Sequence, residues 1–158
     1  MEKLIWVIGK NRKEMIEIQR QLNAVGSMRT FCMLSAEAVE KATVAQGRGE
    51  ASRISTPALI IVDYQMAQEE ELRPLSFIKN QQALAGVPLF FMVEKRTHES
   101  DEACYDLGAV VVLNKPFSRS EILRIERTAW QHEVTRNYEK MLQKQANDLQ
   151  AAREIVRL

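Results

Sequence analysis

Five short segments with strand character, each followed by a stretch with helical character, constrain the fold more than any other feature of the sequence. They lie at 4–8, 29–34, 58–62, 87–93 and 109–113. Most are continuous apolar runs rather than alternating ones, as is typical of strands buried on both faces of a parallel sheet. Strands that alternate with helices predict a doubly wound α/β fold with a five-stranded parallel sheet.

Local signals predict where the helices begin and end. The starts fall at Asn11, Ser35, Pro74, near Asp101 and at Ser118. Ser118 and Glu121 have the spacing of a capping box, and Asn11 has an acid, Glu14, three residues further on. The second helix is expected to fade at 47–49, whereas the charged segment 69–73 has no helical period.

Composition limits the class of protein. The chain has 158 residues, a formal net charge of +1 and 27% charged residues, enough for one domain and an appendage. This balance indicates neither nucleic acid nor a membrane surface as a partner. The sequence starts without a signal peptide and has no apolar run of bilayer length. Cys32 and Cys104 are far apart, which favours buried thiols in a reducing compartment, and we expect the protein to be cytoplasmic.

Polar residues at the carboxyl ends of the strands are the candidates for a site, because crevices in parallel sheets form at that edge. They are Gly9, Lys10, Asn11, Asp63, Glu94, Lys95, Asn114, Lys115 and Pro116. Asp63 would lie near the amine of Lys115. Two readings remain open: a nucleophilic carboxylate with a charge-neutralising lysine, as phosphoryl chemistry requires, or an ion pair that closes the top of the sheet.

Two segments carry a family resemblance. Residues 58–66, ALIIVDYQM, resemble the phosphoacceptor strand of response-regulator receiver domains, and 108–117, GAVVVLNKPF, resemble their fifth-strand signature. The resemblance covers about residues 1–127 and implies a flavodoxin-like (CheY-like) fold. It also implies that Asp63 is at the phosphoacceptor position, that Lys115 is at the phosphate-pocket position before a cis peptide bond to Pro116, and that a sensor histidine kinase is a candidate partner.

The chain departs from the receiver pattern at the positions that perform the chemistry. The acid pair that holds Mg²⁺ is replaced by Gly9 and Lys10, and the two switch residues are replaced by Val93 and Val112. We therefore expect no metal or other cofactor, although Mg²⁺ binding to a poor site stays open. Lys10 could pair with Asp63 or point into solvent.

Three functions are compatible with these residues. The first is a non-enzymatic regulatory receiver module of two-component phosphorelay signalling that acts through its C-terminal helix. The second is a phosphorylation-competent receiver with Asp63 as acceptor and a rearranged metal site. The third is a small domain that binds a ligand in the strand-end crevice, although the chain has no glycine-rich phosphate loop.

The last helical segment continues past the receiver region. Ile122, Ile125, Ala129 and Trp130 are expected to pack on the sheet, and His132 is expected to be solvated. The extension 128–158 carries an apolar stripe from Val134 to Val156 near the 3.5-residue repeat of a coiled coil. The stripe predicts a homodimer, and a solvent-exposed amphipathic linker is the alternative. Residues 148–155 resemble the linker before PP2C-type serine phosphatase domains, so an output domain is expected beyond Leu158.

Overall fold

The computed structural model describes residues 3–47 and 56–156. Its strands are β1 (Lys3–Ile8), β2 (Met28–Met33), β3 (Leu59–Asp63), β4 (Leu89–Val93) and β5 (Val111–Asn114). They form one sheet in the order β2-β1-β3-β4-β5, and all four pairings are parallel. The predicted flavodoxin-like, doubly wound, five-stranded sheet is thereby confirmed.

The described helices are six in number and cover both faces of the sheet. They are α1 (Arg12–Asn23), α2 (Ala36–Gly47), α3 (Tyr64–Glu69), α4 (Arg73–Lys79), α5 (His98–Asp106) and α6 (Arg119–Val156), with a 3-10 turn at Gln82–Leu84. Helix α2 ends at Gly47, and the rest of its predicted fade lies outside the described residues.

The central strands are apolar throughout because both faces of the sheet are covered. Along β1, Ile5 and Val7 belong to one core layer, and Trp6 and Ile8 belong to the other. Successive side chains of a strand point to opposite faces, so a strand between two layers needs an apolar residue at every position. Strand β2 is at the edge, and its Phe31 is 44% exposed, which explains the mixed composition of that segment.

Helix α3 was missed in the sequence. It has six residues, too few for a helical period to be recognised. Its N-cap is Asp63, whose Oδ1 accepts hydrogen bonds from the backbone N–H groups of Gln65 at 2.9 Å and Met66 at 3.2 Å. Glu71 and Leu72 follow with φ of 55° and 62° and separate α3 from α4, which is why this charged segment shows no period.

Helix α6 starts with the predicted capping box. The backbone N–H of Ser118 donates to Glu121 Oε1 at 2.9 Å, and the backbone N–H of Glu121 donates to Ser118 Oγ at 3.3 Å. The helix then runs for 38 residues without a break, about 57 Å at the usual rise.

The expectation for Trp130 was wrong. Ile125 and Ala129 are fully buried against the sheet, as predicted, and Ile122 is partly buried, but Trp130 is 55% exposed. Each helical residue turns by about 100°. Trp130 therefore lies about 140° around the helix from Ile125, on the side that faces away from the domain.

Beyond Ala129, α6 still contacts the body of the domain. His132, Arg136 and Glu139 line a cavity of about 180 Å³, which we call the junction cavity, and Thr56, Ala83, Ala85, Gly86 and Val87 form its other wall. The Nε2 atom of His132 is buried and without a hydrogen-bond partner, so the expectation of a solvated His132 was wrong. Burial lowers the pKa of His132, and the nearby charge of Arg136 lowers it further. The division between 1–127 and 128–158 stays a prediction.

Within residues 3–47 and 56–156, no helix is both long enough and apolar enough to cross a membrane.

Candidate functional site

The two residues that the sequence singled out for phosphoryl chemistry are brought together. Asp63 ends β3 and Lys115 follows β5, and the lysine Nζ lies 2.8 Å from Asp63 Oδ2. The side chains are 11% and 10% exposed. The peptide bond between Lys115 and Pro116 is cis, as the resemblance implied. This is the placement that parallel topology predicts for residues that follow strands ending at the same edge of one sheet, here two strands on either side of β4.

A second carboxylate shares the lysine, and sequence reasoning missed it. Glu14 Oε1 lies 2.8 Å from Lys115 Nζ. Glu14 belongs to the first turn of α1, where its backbone N–H donates to the N-cap side chain of Asn11 at 3.1 Å. The sequence analysis used Glu14 only as part of a capping signal. An acid in the first turn of a helix that leaves the strand-end edge was the signal that could have identified it.

All the hydrogen-bonding contacts of Asp63 are internal to the fold. Its Oδ1 accepts the two backbone N–H groups of α3, and its Oδ2 accepts the ammonium of Lys115. Both carboxylate oxygens are thus already engaged. Asp63, the predicted phosphoacceptor, is therefore also the N-cap of α3.

The electrostatics of the three groups favour a charged lysine. Burial lowers the pKa of Lys115, but the hydrogen bonds that its ammonium donates to Asp63 and Glu14 outweigh this and raise the pKa above its ordinary value. One ammonium between two carboxylates leaves the cluster with a net negative charge when all three are ionised. An additional anion bound at this point would be repelled by that negative charge.

Lys10 does not reach Asp63. Its Nζ lies 3.3 Å from Glu69 Oε2 and 3.0 Å from Glu70 Oε1, and its side chain is 46% exposed. Neither reading that the sequence left open describes this arrangement, because the lysine is exposed but paired. It connects the loop after β1 to the C-terminal end of α3.

Gly9 is enclosed by packing that leaves little room for a larger residue. A Cβ built at this position would lie 2.5 Å from Met15 Cε and 3.4 Å from Asp63 Cβ. Met15 is 2% exposed, so its side chain fills the space that an acid at position 9 would need. An acid there would require Met15 to move.

Val93 and Val112 are apolar core residues. They are 7% and 2% exposed and belong to the same core layer. Val93 also lines a cleft beside Asp63 and Lys115, where its side chain has no polar atom to offer an anion. Their correspondence to receiver switch positions remains a prediction.

The cleft above the strand ends has a volume of about 210 Å³. Its lining residues are Lys10, Asn11, Glu14, Asp63, Gln65, Met66, Glu69, Glu94 and Lys115. Among the residues that the structure describes, no group of three or more acidic, histidine or cysteine side chains is placed to hold a metal ion. Mg²⁺ requires several oxygen ligands in near-octahedral geometry. Because the Lys115 ammonium lies between the two nearest carboxylates, the residues present do not fit Mg²⁺.

Comparison with known proteins identifies the fold. No family model matches the chain, and no curated protein matches it by sequence. Among solved structures, the receiver domain of the sensor histidine kinase PA1611 from Pseudomonas aeruginosa PAO1 has a TM-score of 0.64 at 18% identity, covering 82% of this chain and 98% of that chain. Its crystal structure is described with a magnesium ion in the active-site cleft.

A second solved structure leads to the same class. The receiver domain of the Francisella response regulator 1452 has a TM-score of 0.62 at 16% identity, with 82% of this chain and 98% of that chain covered. The chain therefore has the CheY-like receiver fold of two-component response regulators.

The match to a third solved structure extends over the long helix α6 of this chain. It is a fusion that contains the trimeric coiled coil of yeast Spc42, with a TM-score of 0.64 at 16% identity. The match covers 99% of this chain and 97% of that chain.

Proposed function

We propose that this chain is a regulatory module of two-component phosphorelay signalling that works without phosphorylation of Asp63. It is not an enzyme, and it acts in the cytoplasm as a homodimer that passes signals through α6 to an output domain beyond it. The observation that carries the proposal is the sharing of the Lys115 ammonium between Glu14 and Asp63, at 2.8 Å from each.

The occupied site argues against phosphoryl transfer. A carboxylate nucleophile attacks through an oxygen lone pair, which hydrogen bonds make less reactive, and the transferred group needs cations to offset its charge. Both oxygens of Asp63 accept hydrogen bonds. Glu14 adds a carboxylate at the amine that would otherwise bind a phosphoryl oxygen, so an incoming phosphoryl group would displace one anion from the lysine and meet the other.

The residues around the site argue against a phosphorylation-driven switch. A ligand shifts a conformational equilibrium only through contacts that differ between the two states. Val93 has no hydroxyl to bind a phosphoryl oxygen, and Val112 has no ring to reorient. The chain therefore lacks the side chains through which phosphorylation would change the conformation.

The alternative is a phosphorylation-competent receiver, with a sensor histidine kinase as the donor. The favourable observation is that the Asp63–Lys115 pair itself is intact at 2.8 Å and borders an open cleft. Glu14 and Glu94 line that cleft and could supply oxygens to a rearranged metal site if Lys115 moved.

The experiment is incubation with acetyl phosphate and Mg²⁺, followed by intact-protein mass spectrometry. We expect the wild-type mass to be unchanged. The matched control is Asp63→Asn, which lacks the acceptor but keeps the shape of the side chain. A phosphoryl adduct on the wild-type protein that is absent from Asp63→Asn would establish the alternative.

Two ligand titrations complete the test. Calorimetry should detect no micromolar Mg²⁺ site, because the Lys115 ammonium lies between the two nearest carboxylates and Mg²⁺ needs several oxygen ligands. Beryllofluoride should leave the NMR spectrum of β5 and the start of α6 nearly unchanged. Large shifts in that region would mean that the switch still operates.

A further inference from the structure

Helix α6 exposes apolar side chains along nearly its whole described length. Seven of them are each 45–57% exposed: Leu123, Trp130, Val134, Tyr138, Met141, Leu142 and Leu149. The sequence analysis placed the start of the stripe at Val134. In the structure it starts at Leu123, one turn into the helix and inside the receiver body.

Six of these seven residues, all but Leu142, form pairs that are eleven positions apart, whereas Leu142 and Leu149 are seven positions apart. Steps of four, three and four connect the residues that we call the outer stripe: Leu123, Arg127, Trp130, Val134, Tyr138, Met141, Gln145, Leu149 and Ala152. A seven-residue repeat continued from Met141 and Gln145 would put Asp148 in the seam in place of Leu149. Eleven residues in three turns, about 3.67 per turn, give a nearly straight helix pair with a slight right-handed supercoil.

The outer stripe faces away from the receiver. Ile125 and Ala129 are fully buried against the sheet, and His132 and Arg136 line the junction cavity. At about 100° per residue these four lie on the side of the helix opposite the outer stripe. A second helix can therefore lie along the stripe without meeting the domain that carries it.

We propose that the outer stripe is a self-association surface on which a second copy of this chain packs its own outer stripe, as a parallel and nearly straight helix pair that begins at Leu123. This deepens the proposed function, since it names the surface through which α6 would act. The two receiver bodies would then lie side by side, held by the part of α6 that packs on each sheet.

The exposure of the distal half of α6 is one reason to expect that a partner helix covers the outer stripe. The residues 140–153 are all exposed, and an isolated helix of this length is marginal in water because most helical stability comes from burying an apolar face. Continuity is another reason. The stripe passes from the receiver into the extension without an interruption in its spacing, so one partner helix can cover both parts.

Charge placement favours a second copy in the parallel orientation. Asp148 and Arg153 are exposed and flank the stripe on opposite sides. Parallel, in-register pairing brings Asp148 of each copy next to Arg153 of the other, five residues further on, as in flanking pairs of parallel coiled coils.

The polar members of the stripe fit the same arrangement. In a parallel pair each Gln145 faces its counterpart, and an amide can donate to and accept from another amide. One such layer fixes the register of paired helices. Arg127 faces its own counterpart as well, where its long stem lets the guanidinium reach solvent at the edge of the pair.

Disulfide trapping tests the orientation. The variant Gln145→Cys should form a disulfide-linked dimer on mild oxidation, because the two copies of position 145 face each other. The matched control is Gln143→Cys, two residues away on the opposite side of the helix, and the wild-type protein controls for Cys32 and Cys104. Absence of the disulfide at position 145 in a protein that sediments as a dimer would contradict the parallel arrangement. A protein that sediments as a trimer would contradict the two-helix arrangement.

Sedimentation equilibrium of the full chain tests where the surface begins. Trp130→Glu should raise the dimer dissociation constant at least about tenfold, as expected when a charge replaces a large aromatic residue at an interface. Gln143→Glu adds the same charge on the opposite side and should leave it unchanged. If Trp130→Glu dimerises as tightly as the wild-type protein, or if the wild-type protein is a monomer at tens of micromolar, the inference is wrong.

Phosphorylation of Asp63 with the dimer intact would instead contradict only the proposed function.

Discussion

Lys115 connects parts of the chain that are far apart in sequence. Its Nζ contacts Glu14 from α1 and Asp63 from β3, at sequence separations of 101 and 52 residues. The pairing with Asp63 could be predicted, because both residues end strands at the same edge of a parallel sheet. The contact with Glu14 could not, because it depends on how far α1 leans over that edge.

The first prediction concerns the stability contributed by this lysine. Lys115→Met removes the cation between two carboxylates of which one is 11% exposed. Breaking such a pair leaves uncompensated charge in a poorly hydrated place, and we expect a loss of about 3 kcal/mol in the free energy of unfolding. Urea denaturation monitored by circular dichroism measures this loss.

Lys10→Met is the matched control for Lys115→Met. It removes the same charge from an exposed lysine that pairs with Glu69 and Glu70, and exposed ion pairs contribute little to stability. Equal losses for the two variants would mean that the buried cluster has no special role in stability.

Helix α6 combines two surfaces with different chemistry. Its inner side includes Ile125 and Ala129 on the sheet and His132 at the junction cavity, whereas its outer side is the exposed stripe. The inner side continues past the end of the sheet because the segment around Gly86 provides a second wall. The sequence analysis ended the packed region too early, since it considered only the sheet as a packing partner.

The second prediction concerns pH and His132. Burial lowers the pKa of His132 below its ordinary value of 6.5, so in the folded protein the ring stays neutral at a pH where the unfolded chain takes up a proton. Stability is therefore complete above about pH 6.5 and falls as the pH drops below that value towards the folded pKa. His132→Gln should reduce the loss of stability between pH 7 and pH 5.

Charged groups on α6 also affect the pKa of His132. Arg136 lowers its pKa, whereas Glu133 and Glu139 raise it. The opposite wall of the junction cavity is uncharged, with Thr56, Ala83, Ala85, Gly86 and Val87. The other histidine of the chain, His98, is 89% exposed, so His98→Gln should leave the acid sensitivity unchanged. If His132→Gln also leaves it unchanged, burial of the ring does not control the acid response.

At the scale of the whole molecule, the chain is a receiver body with a helix that extends beyond it. The body has two apolar core layers, one on each face of the sheet. The distal part of α6, residues 140–153, is exposed. Covering this part requires another molecule or another domain, and the proposed pairing with a second copy covers it along its length.

The third prediction is a melting temperature that depends on protein concentration. If folding and pairing are coupled, dilution favours the unfolded monomer by mass action. For an unfolding enthalpy typical of this chain length, the Tm should rise by about 2 °C for each tenfold increase in concentration. Differential scanning calorimetry over two decades of concentration measures it.

Two variants control for effects unrelated to pairing. Met141→Glu places a charge in the outer stripe, where Met141 is 51% exposed in the single chain, and it should abolish the concentration dependence. Gln143→Glu, on the other side of the helix, should preserve it. A concentration-independent Tm for the wild-type protein would show that pairing is not coupled to folding.

The amino-acid sequence by itself determined the fold and the outline of the site. Continuous apolar runs identify strands between two layers, capping residues mark where α1 and α6 begin, and parallel topology brings Asp63 and Lys115 to one edge. These conclusions depend on local periodicity and chain order, which a sequence contains directly. The prediction that Gly9 and Lys10 replace an acid pair likewise comes from the sequence.

The tertiary structure decided how the side chains use that framework. It turned Glu14 towards Lys115, paired Lys10 with Glu69 and Glu70 rather than Asp63, buried the Nε2 atom of His132 and exposed Trp130. Each outcome depends on the distance and tilt between elements that are remote in sequence. A helical or strand period specifies which residues share a face, but the packing of whole elements determines what that face meets.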